Sequence, residues 1–217
     1  MISVVTVTNK LNSIKNIYCN FKRQIYPNKE LVIIINNNNI NLDYYESVLK
    51  NKNIKDFQIF KLDDGITLGN CLNYSIDKMN GDYWAKFDDD DYYGKNYLIE
   101  ASYFLKKTNA ELIGKKSIIL YDIGKNIKYD LNQSKNKFVD FIRGPTFFCH
   151  KNLLNQFKFD DLNCGEDTQF LKKIIKNKKK MYATSNNNFI HIRNSKYDNV
   201  SRLTVKDYLS CKYKILK

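Results

Sequence analysis

The first half of the chain alternates short β-branched runs with stretches in which apolar residues recur every three or four positions. Residues 2–8, 31–35, 57–62 and 83–87 read as strands. Between them, Leu68, Cys71, Leu72, Ser75, Ile76 and Met79 mark one face of a helix. A further helix is expected from about Gly94 to Lys107, with Tyr97, Leu98, Ala101, Phe104 and Leu105 inward. This alternation predicts an α/β fold with a mostly parallel sheet between helices. After Ala110 the pattern changes: residues 111–121 and 127–131 read as strands around 122–125, and residues 146–150 as another. The second half is therefore mixed. One globular domain is expected, with residues 1–110 and 111–217 as its two halves.

An apolar strand, Tyr83-Trp84-Ala85-Lys86-Phe87, runs directly into Asp88-Asp89-Asp90-Asp91. Four adjacent carboxylates repel unless a cation sits among them, and hard ions such as Mn²⁺ or Mg²⁺ take oxygen ligands while leaving positions open for phosphate. The carboxyl end of a strand is also where open α/β sheets bind ligands. The plainer reading is an acidic turn capping the next helix, and Asp91 fits that role alone. A second acidic pair, Glu166-Asp167, opens a stretch with Phe170, Leu171, Ile174 and Ile175 on one face and Lys172, Lys173 and Lys176 on the other.

The chain of 217 residues carries 36 Lys and Arg against 23 Asp and Glu, a formal charge of +13. That balance favours anionic partners, although lysine and asparagine are spread throughout as in an AT-rich genome. Five scattered cysteines, Cys19, Cys71, Cys149, Cys164 and Cys211, form no CxxC pair and read as reduced thiols. No apolar run approaches a membrane span and the N-terminus lacks a basic flank, so a cytoplasmic protein is expected. The basic amphipathic segment 203–217 either packs on the domain or lies on an anionic membrane at its inner face.

Several motifs together resemble glycosyltransferase family 2, whose members have the GT-A fold. They are Val5-Thr6-Val7-Thr8-Asn9-Lys10 after the first strand, Leu68-Gly69 with Asn73, Gly81-Asp82-Tyr83 before the aspartates, and Gly165-Glu166-Asp167. The resemblance implies an inverting transfer from a nucleotide-sugar, a UDP-sugar above all, to a hydroxyl on a glycan, lipid-linked or protein acceptor in cell-surface polysaccharide or glycoconjugate synthesis. It assigns Asp90 to the metal, Mn²⁺ or Mg²⁺, and Asp88, Asp89, Thr6 and Thr8 to the nucleotide side. Asp167 becomes the catalytic base with Glu166 as runner-up, His191 a metal or diphosphate contact, and Gly144 part of a loop beside donor sugar and acceptor.

The match departs from the family in two places. Asn36 and Asn37 stand where aspartates commonly read the base, and an amide still offers a donor and an acceptor. Leu72-Asn73 replaces a basic residue followed by Asn, so Lys10 or Arg193 is left to supply the missing cation. A nucleotidyltransferase or phosphotransferase is the competing enzyme class, disfavoured because no GxxxxGK[ST] loop is present. A basic nucleic-acid-binding module is disfavoured because the aspartate run repels phosphate.

Overall fold

A computed structural model describes residues 1–195, 204–210 and 212–216. The first half follows the expected alternation: β1 (Ile2–Thr8), α1 (Ile14–Arg23), β2 (Lys29–Asn36), α2 (Leu42–Asn51), β3 (Phe57–Leu62), α3 (Leu68–Lys78) and β4 (Tyr83–Lys86). There follow β5 (Tyr92–Tyr93), α4 (Tyr97–Thr108), β6 (Leu112–Gly114), β7 (Ile119–Asp122), β8 (Ile127–Asp130), β9 (Lys137–Val139), β10 (Phe148–His150), α5 (Lys151–Gln156), α6 (Glu166–Lys176), β11 (Met181–Ala183), β12 (Phe189–Arg193), α7 (Val205–Tyr208) and β13 (Lys214–Leu216).

Eight strands form the central sheet in the order β3-β2-β1-β4-β10-β6-β11-β9. The β3-β2-β1-β4 half is parallel throughout, and its two inner strands, β1 and β2, are the Val/Ile-rich runs buried on both faces that suit a parallel sheet. Beyond β4 the sheet is mixed, because β10 runs antiparallel to both neighbours. Side-chain alternation divides the core. Val4, Leu31 and Ile33 pack with Ile17, Leu49 and Leu98 under α1, α2 and α4. Val5, Val32 and Ile34 pack with Leu72, Leu154 and Phe170 under α3, α5 and α6. The result is three layers, α/β/α.

A second sheet, β13-β8-β7-β12-β5, lies beyond the carboxyl end of the first. The stretch expected as one strand over 111–121 is divided between the two sheets, as β6 and β7. The aspartate run is the link by which the chain leaves β4 in the large sheet and enters β5, which pairs with β12 in the small one. The helix expected from Gly94 begins only at Tyr97, because Gly94 is taken up by a backbone bond to the Asn188 carbonyl. Its N-cap is Asn96, so Asp91 caps nothing. Ile175, expected to face inward on α6, is 48% exposed. Among the described residues no helix is long and apolar enough to cross a membrane. Cys19, Cys71, Cys149 and Cys164 are free thiols, and burial pushes the Cys71 thiol up to about 11. Cys211 and Leu203 lie outside the described residues; of the C-terminal segment, α7 and β13 pack on the domain through Tyr208 and the β8 edge.

Candidate active site

The four aspartates take four different positions. Asp88 pairs with the Lys86 ammonium and stays partly exposed. Asp89 turns back to β1, accepting from the Thr8 hydroxyl at 2.6 Å and from Lys10 Nζ at 2.9 Å. Asp90 is the outermost, 44% exposed, with Lys10 Nζ at 3.4 Å. Asp91 is fully buried: its carboxylate accepts from the Ile192 amide at 2.9 Å, meets His191 Nδ1 at 2.9 Å and lies 3.7 Å from Arg193.

Their electrostatics differ accordingly. Burial pushes Asp91 up to about 8, with the Asp90 charge adding to the rise and Arg193 opposing it. Burial also raises Asp88 and Asp89, against the pull of Lys86 and Lys10 respectively. For Asp90 the balance reverses: burial opposes ionisation, yet Arg193 and Lys10 hold its carboxyl below the ordinary value. Burial, aided by Arg193, drops the His191 imidazole well below 6.5, so the ring is neutral at pH 7.

Helix α1 holds this loop from behind. Asn16, Asn20 and Gln24 recur every four residues and so share one helix face. The Asn16 amide donates to the carbonyls of Asp89 and Asp91, each at 2.9 Å, and that of Asn20 to Asp91 at 2.8 Å. Gln24 donates to the carbonyls of Tyr93 and Gly94. The sequence reading passed over these amides; their i, i+4, i+8 spacing on an otherwise apolar helix face was the available signal.

Ligand oxygens of Asp88, Asp90 and Asp91 lie within 4.8 Å of one another, a spacing one cation can span. Arg193 Nε is buried with no hydrogen-bond partner among the described residues, which suits an anion beside the cluster. The residues present therefore fit a metal-diphosphate group. His191 does not join the cluster: Nε2 meets the Tyr208 hydroxyl at 2.9 Å and Nδ1 meets Asp91, so neither nitrogen is turned to an ion in this arrangement. The ring instead links Asp91 to α7.

The second acidic pair opens α6. Gly165 adopts φ +84°, a left-handed turn that glycine tolerates, and it starts the helix directly at Glu166. Glu166 is buried and burial raises its pKa against the pull of Lys86. Asp167 is the more open; one oxygen accepts from the Thr168 amide at 2.6 Å. A methyl group at Gly144 would overlap the Asp167 carboxylate, so glycine there lets the 144–146 turn close against the acid. Tyr93 ties that turn to the aspartates, its hydroxyl accepting from the Asp88 amide and donating to the Pro145 carbonyl. Thr8, Lys10, Asp88, Asp89, Gly144 and Arg193 thus border one region at the carboxyl end of the sheet, while Thr6 is buried within β1 at 2% exposure.

Two residues expected on the nucleotide side are bound elsewhere. The Asn73 amide closes a two-way bond with the Phe159 backbone, 2.9 Å in each direction, and fastens α3 to the loop between α5 and α6. The Asn36 amide nitrogen donates to the carbonyls of Asp63 and Ile66, holding the turn before α3. In both cases tertiary contact with a backbone segment absorbs an amide that sequence alone left unassigned.

A three-layer α/β/α domain with an acidic loop at the carboxyl end of its fourth strand, faced by an acidic helix start, defines the GT-A class. The sequence matches the family model described as Glycosyl transferase family 2 over residues 3–162, more than half of the chain, and the chain belongs to that family. Among solved structures it is similar to S. aureus TarS 1-349 in complex with UDP-GlcNAc, with 17% identity, a TM-score of 0.69 and coverage of 92% of this chain and 60% of that one. It is also similar to the mannosyltransferase PcManGT from Pyrobaculum calidifontis in complex with GDP-Man and Mn²⁺, with 12% identity, a TM-score of 0.68 and coverage of 89% and 56%. The chain thus spans less than two thirds of either structure, and at these identities the likeness bears on the fold. A search of curated proteins gives no match.

Proposed function

We propose that this protein is an inverting glycosyltransferase that moves a sugar from a nucleotide-sugar, a UDP-sugar, to an acceptor hydroxyl with the help of Mn²⁺ or Mg²⁺. The observation that carries the reading is the convergence of Asp88, Asp90 and Asp91 within 4.8 Å at the end of β4. Family membership supports the reaction class. The complexes of the two similar structures, one with UDP-GlcNAc and one with GDP-Man and Mn²⁺, support a nucleotide-sugar donor and a divalent ion.

In this reading Asp90 holds the ion, being the most open of the four and the one kept ionised by its surroundings. When bound, the ion supplies Lewis-acid neutralisation of charge on the leaving diphosphate. Asp88 and Asp89, with Thr6 and Thr8, line the nucleoside side, and Lys10 and Arg193 add positive charge next to the phosphates. Asp167 takes the proton from the attacking hydroxyl, because its carboxylate is the more accessible of the pair; Glu166 stands beside it. The 144–146 turn borders donor sugar and acceptor. Residues 1–110 form the nucleotide-sugar half and 111–217 the acceptor half. The acceptor is a glycan, lipid-linked or protein hydroxyl in cell-surface polysaccharide or glycoconjugate synthesis, with transfer on the cytoplasmic side and the basic C-terminal segment near the membrane.

Thermal denaturation with UDP and GDP, each with and without Mn²⁺, tests this reading. A rise in Tm with UDP that needs the ion supports it. Binding to duplex DNA with a steep salt slope and no response to nucleotides would overturn it.

A further inference from the structure

The motif Leu68-Gly69 with Asn73 binds the loop between α5 and α6 at every one of its three residues. Helix α3 follows β3, which runs parallel to β2, so it opens at the same end of the sheet as the aspartate loop. The first N–H groups of a helix have no acceptor within it. Here the loop supplies two: the Leu68 amide donates to the Asn163 side-chain oxygen and the Gly69 amide to the Leu162 carbonyl, each at 3.0 Å. The hydroxyl of Thr67, the N-cap of α3, donates to Asp161 at 2.6 Å. One turn on, Asn73 closes its bonds with the Phe159 amide and carbonyl. Gly69 permits this approach, since a Cβ there would stand 1.9 Å from the Asp160 carbonyl oxygen.

The loop is tied as firmly to α6. Lys173 pairs with Asp160 and donates to the Lys158 carbonyl at 2.8 Å, while Phe159 stacks at 4.6 Å on Phe170. Only Cys164 and Gly165 separate Asn163 from Glu166, where α6 begins. Loop and helix thus form one piece, and α3 gives that piece its seat. Helix α3 is itself fixed to the sheet, with Cys71, Leu72 and Ile76 in one core with Val5, Val32 and Ile34.

We propose that Asn73 is a positioning residue: together with Gly69 it keys the 159–163 loop into the first turns of α3, and this key sets where α6 presents Asp167.

The key stands on the bonds alone; its effect on catalysis rests on the reading of Asp167 as the base. A base must meet its proton within hydrogen-bond reach, so a shift of about 1 Å in the start of α6 is felt in the chemical step and little in donor binding.

Amide hydrogen exchange of the full chain tests the key without substrate. In Asn73→Ala the Gly69 amide, whose acceptor belongs to the loop and not to Asn73, should exchange about tenfold faster or more, with Ile76 unchanged. Unchanged exchange at Gly69 overturns the proposal. Gly69→Ala improves helix propensity, so any loss there comes from displacing the loop, and the Phe159 amide should lose its protection. A Phe159 amide as protected as before overturns the proposal as well, and where Asn73→Ala does not fold this variant decides. Steady-state release of UDP from UDP-GlcNAc with Mn²⁺ tests the consequence. Asn73→Ala should lower kcat about 20-fold with KM within about threefold, but should cost less than about twofold in an Asp167→Asn background. Equal cost in both backgrounds, or unchanged kcat, overturns the positioning role. Absence of UDP binding in the unaltered protein would sink the glycosyltransferase reading and leave the exchange result to decide the key.

Discussion

The two ends of the central sheet each bury carboxylates, and they treat them in opposite ways. At the amino end, Glu30 of β2 is 4% exposed and meets only neutral donors: the Ser3 hydroxyl at 2.5 Å, the Asn80 and Gly81 amides at 2.6 and 3.1 Å, and the Asn80 and Gln58 side chains. Burial works against its charge, but the bonds from Ser3, Asn80 and Gln58 hold its carboxyl below the ordinary value. At the carboxyl end, burial instead raises Asp88, Asp89, Asp91 and Glu166, with lysines, an arginine and a histidine packed between them. The first arrangement satisfies one charge and fastens β1, β2, β3 and the turn before β4 together. The second holds acids in tension until something more positive arrives. Unresolved charge of this kind, concentrated where the chain passes between two sheets, is the physical mark of a site rather than a joint.

The largest effect expected from breaking the contrast is at Asp90. Asp90→Ala should abolish Mn²⁺-dependent UDP binding, read by isothermal titration, while the fold survives because that side chain is open. Next, Asp167→Asn should leave UDP binding within about twofold and lower transfer about 1000-fold; full turnover in this variant would move the base to Glu166. Stability measurements then set the two ends directly against each other. Glu30→Gln should destabilise by about 1–3 kcal/mol, since it leaves buried donors short of an acceptor. Asp91→Asn should stabilise the metal-free protein by about 1 kcal/mol or more, because it removes a carboxyl whose ionisation burial opposes. If both substitutions destabilise equally in urea melts, the distinction between joint and site fails.

The same pair predicts pH behaviour of opposite sign. Glu30 has a lowered native pKa, so the stability it contributes is complete above its ordinary value of 4.5 and is lost as pH falls through the native value. Asp91 rises from 3.8 to about 8, so in the metal-free protein its contribution worsens as pH climbs between those values. Urea midpoints of Glu30→Gln and Asp91→Asn against pH should therefore flatten the acidic and the neutral limbs respectively. The smallest effect is at Asn16, where Asn16→Ala removes two bonds to the aspartate loop and should weaken Mn²⁺-dependent UDP binding less than about tenfold with little change in Tm.

Much of the frame was legible because hydrophobic period is a local property. The strands over Ile2–Thr8 and Phe57–Leu62 and the helix opening at Leu68 coincide with the apolar patterns that predict them, and the α/β class follows. The antiparallel β10 between β4 and β6 was not legible, since strand direction depends on which edges are free once the parallel half has formed. The same limit applies to amides. Asn73 and Asn36 carry no local sign that backbone carbonyls or amides of Phe159, Asp63 and Ile66 would claim them, and the i+4 run from Asn16 to Gln24 gains meaning only with the aspartate loop lying across it.

By itself the sequence determined the layered α/β class and the presence of two acidic clusters, the first closing a strand and the second opening a helix, because period and run length are written in neighbouring residues. Only the tertiary structure decided how those acids divide their labour. Asp91 goes inward to His191 and Ile192, Asp89 back to Thr8, Asp90 out toward solvent, and Glu166 rather than Asp167 into the core. A carboxylate's burial and counter-charges come from segments as distant as β12 and α6, and no spacing along the chain encodes which of them arrives.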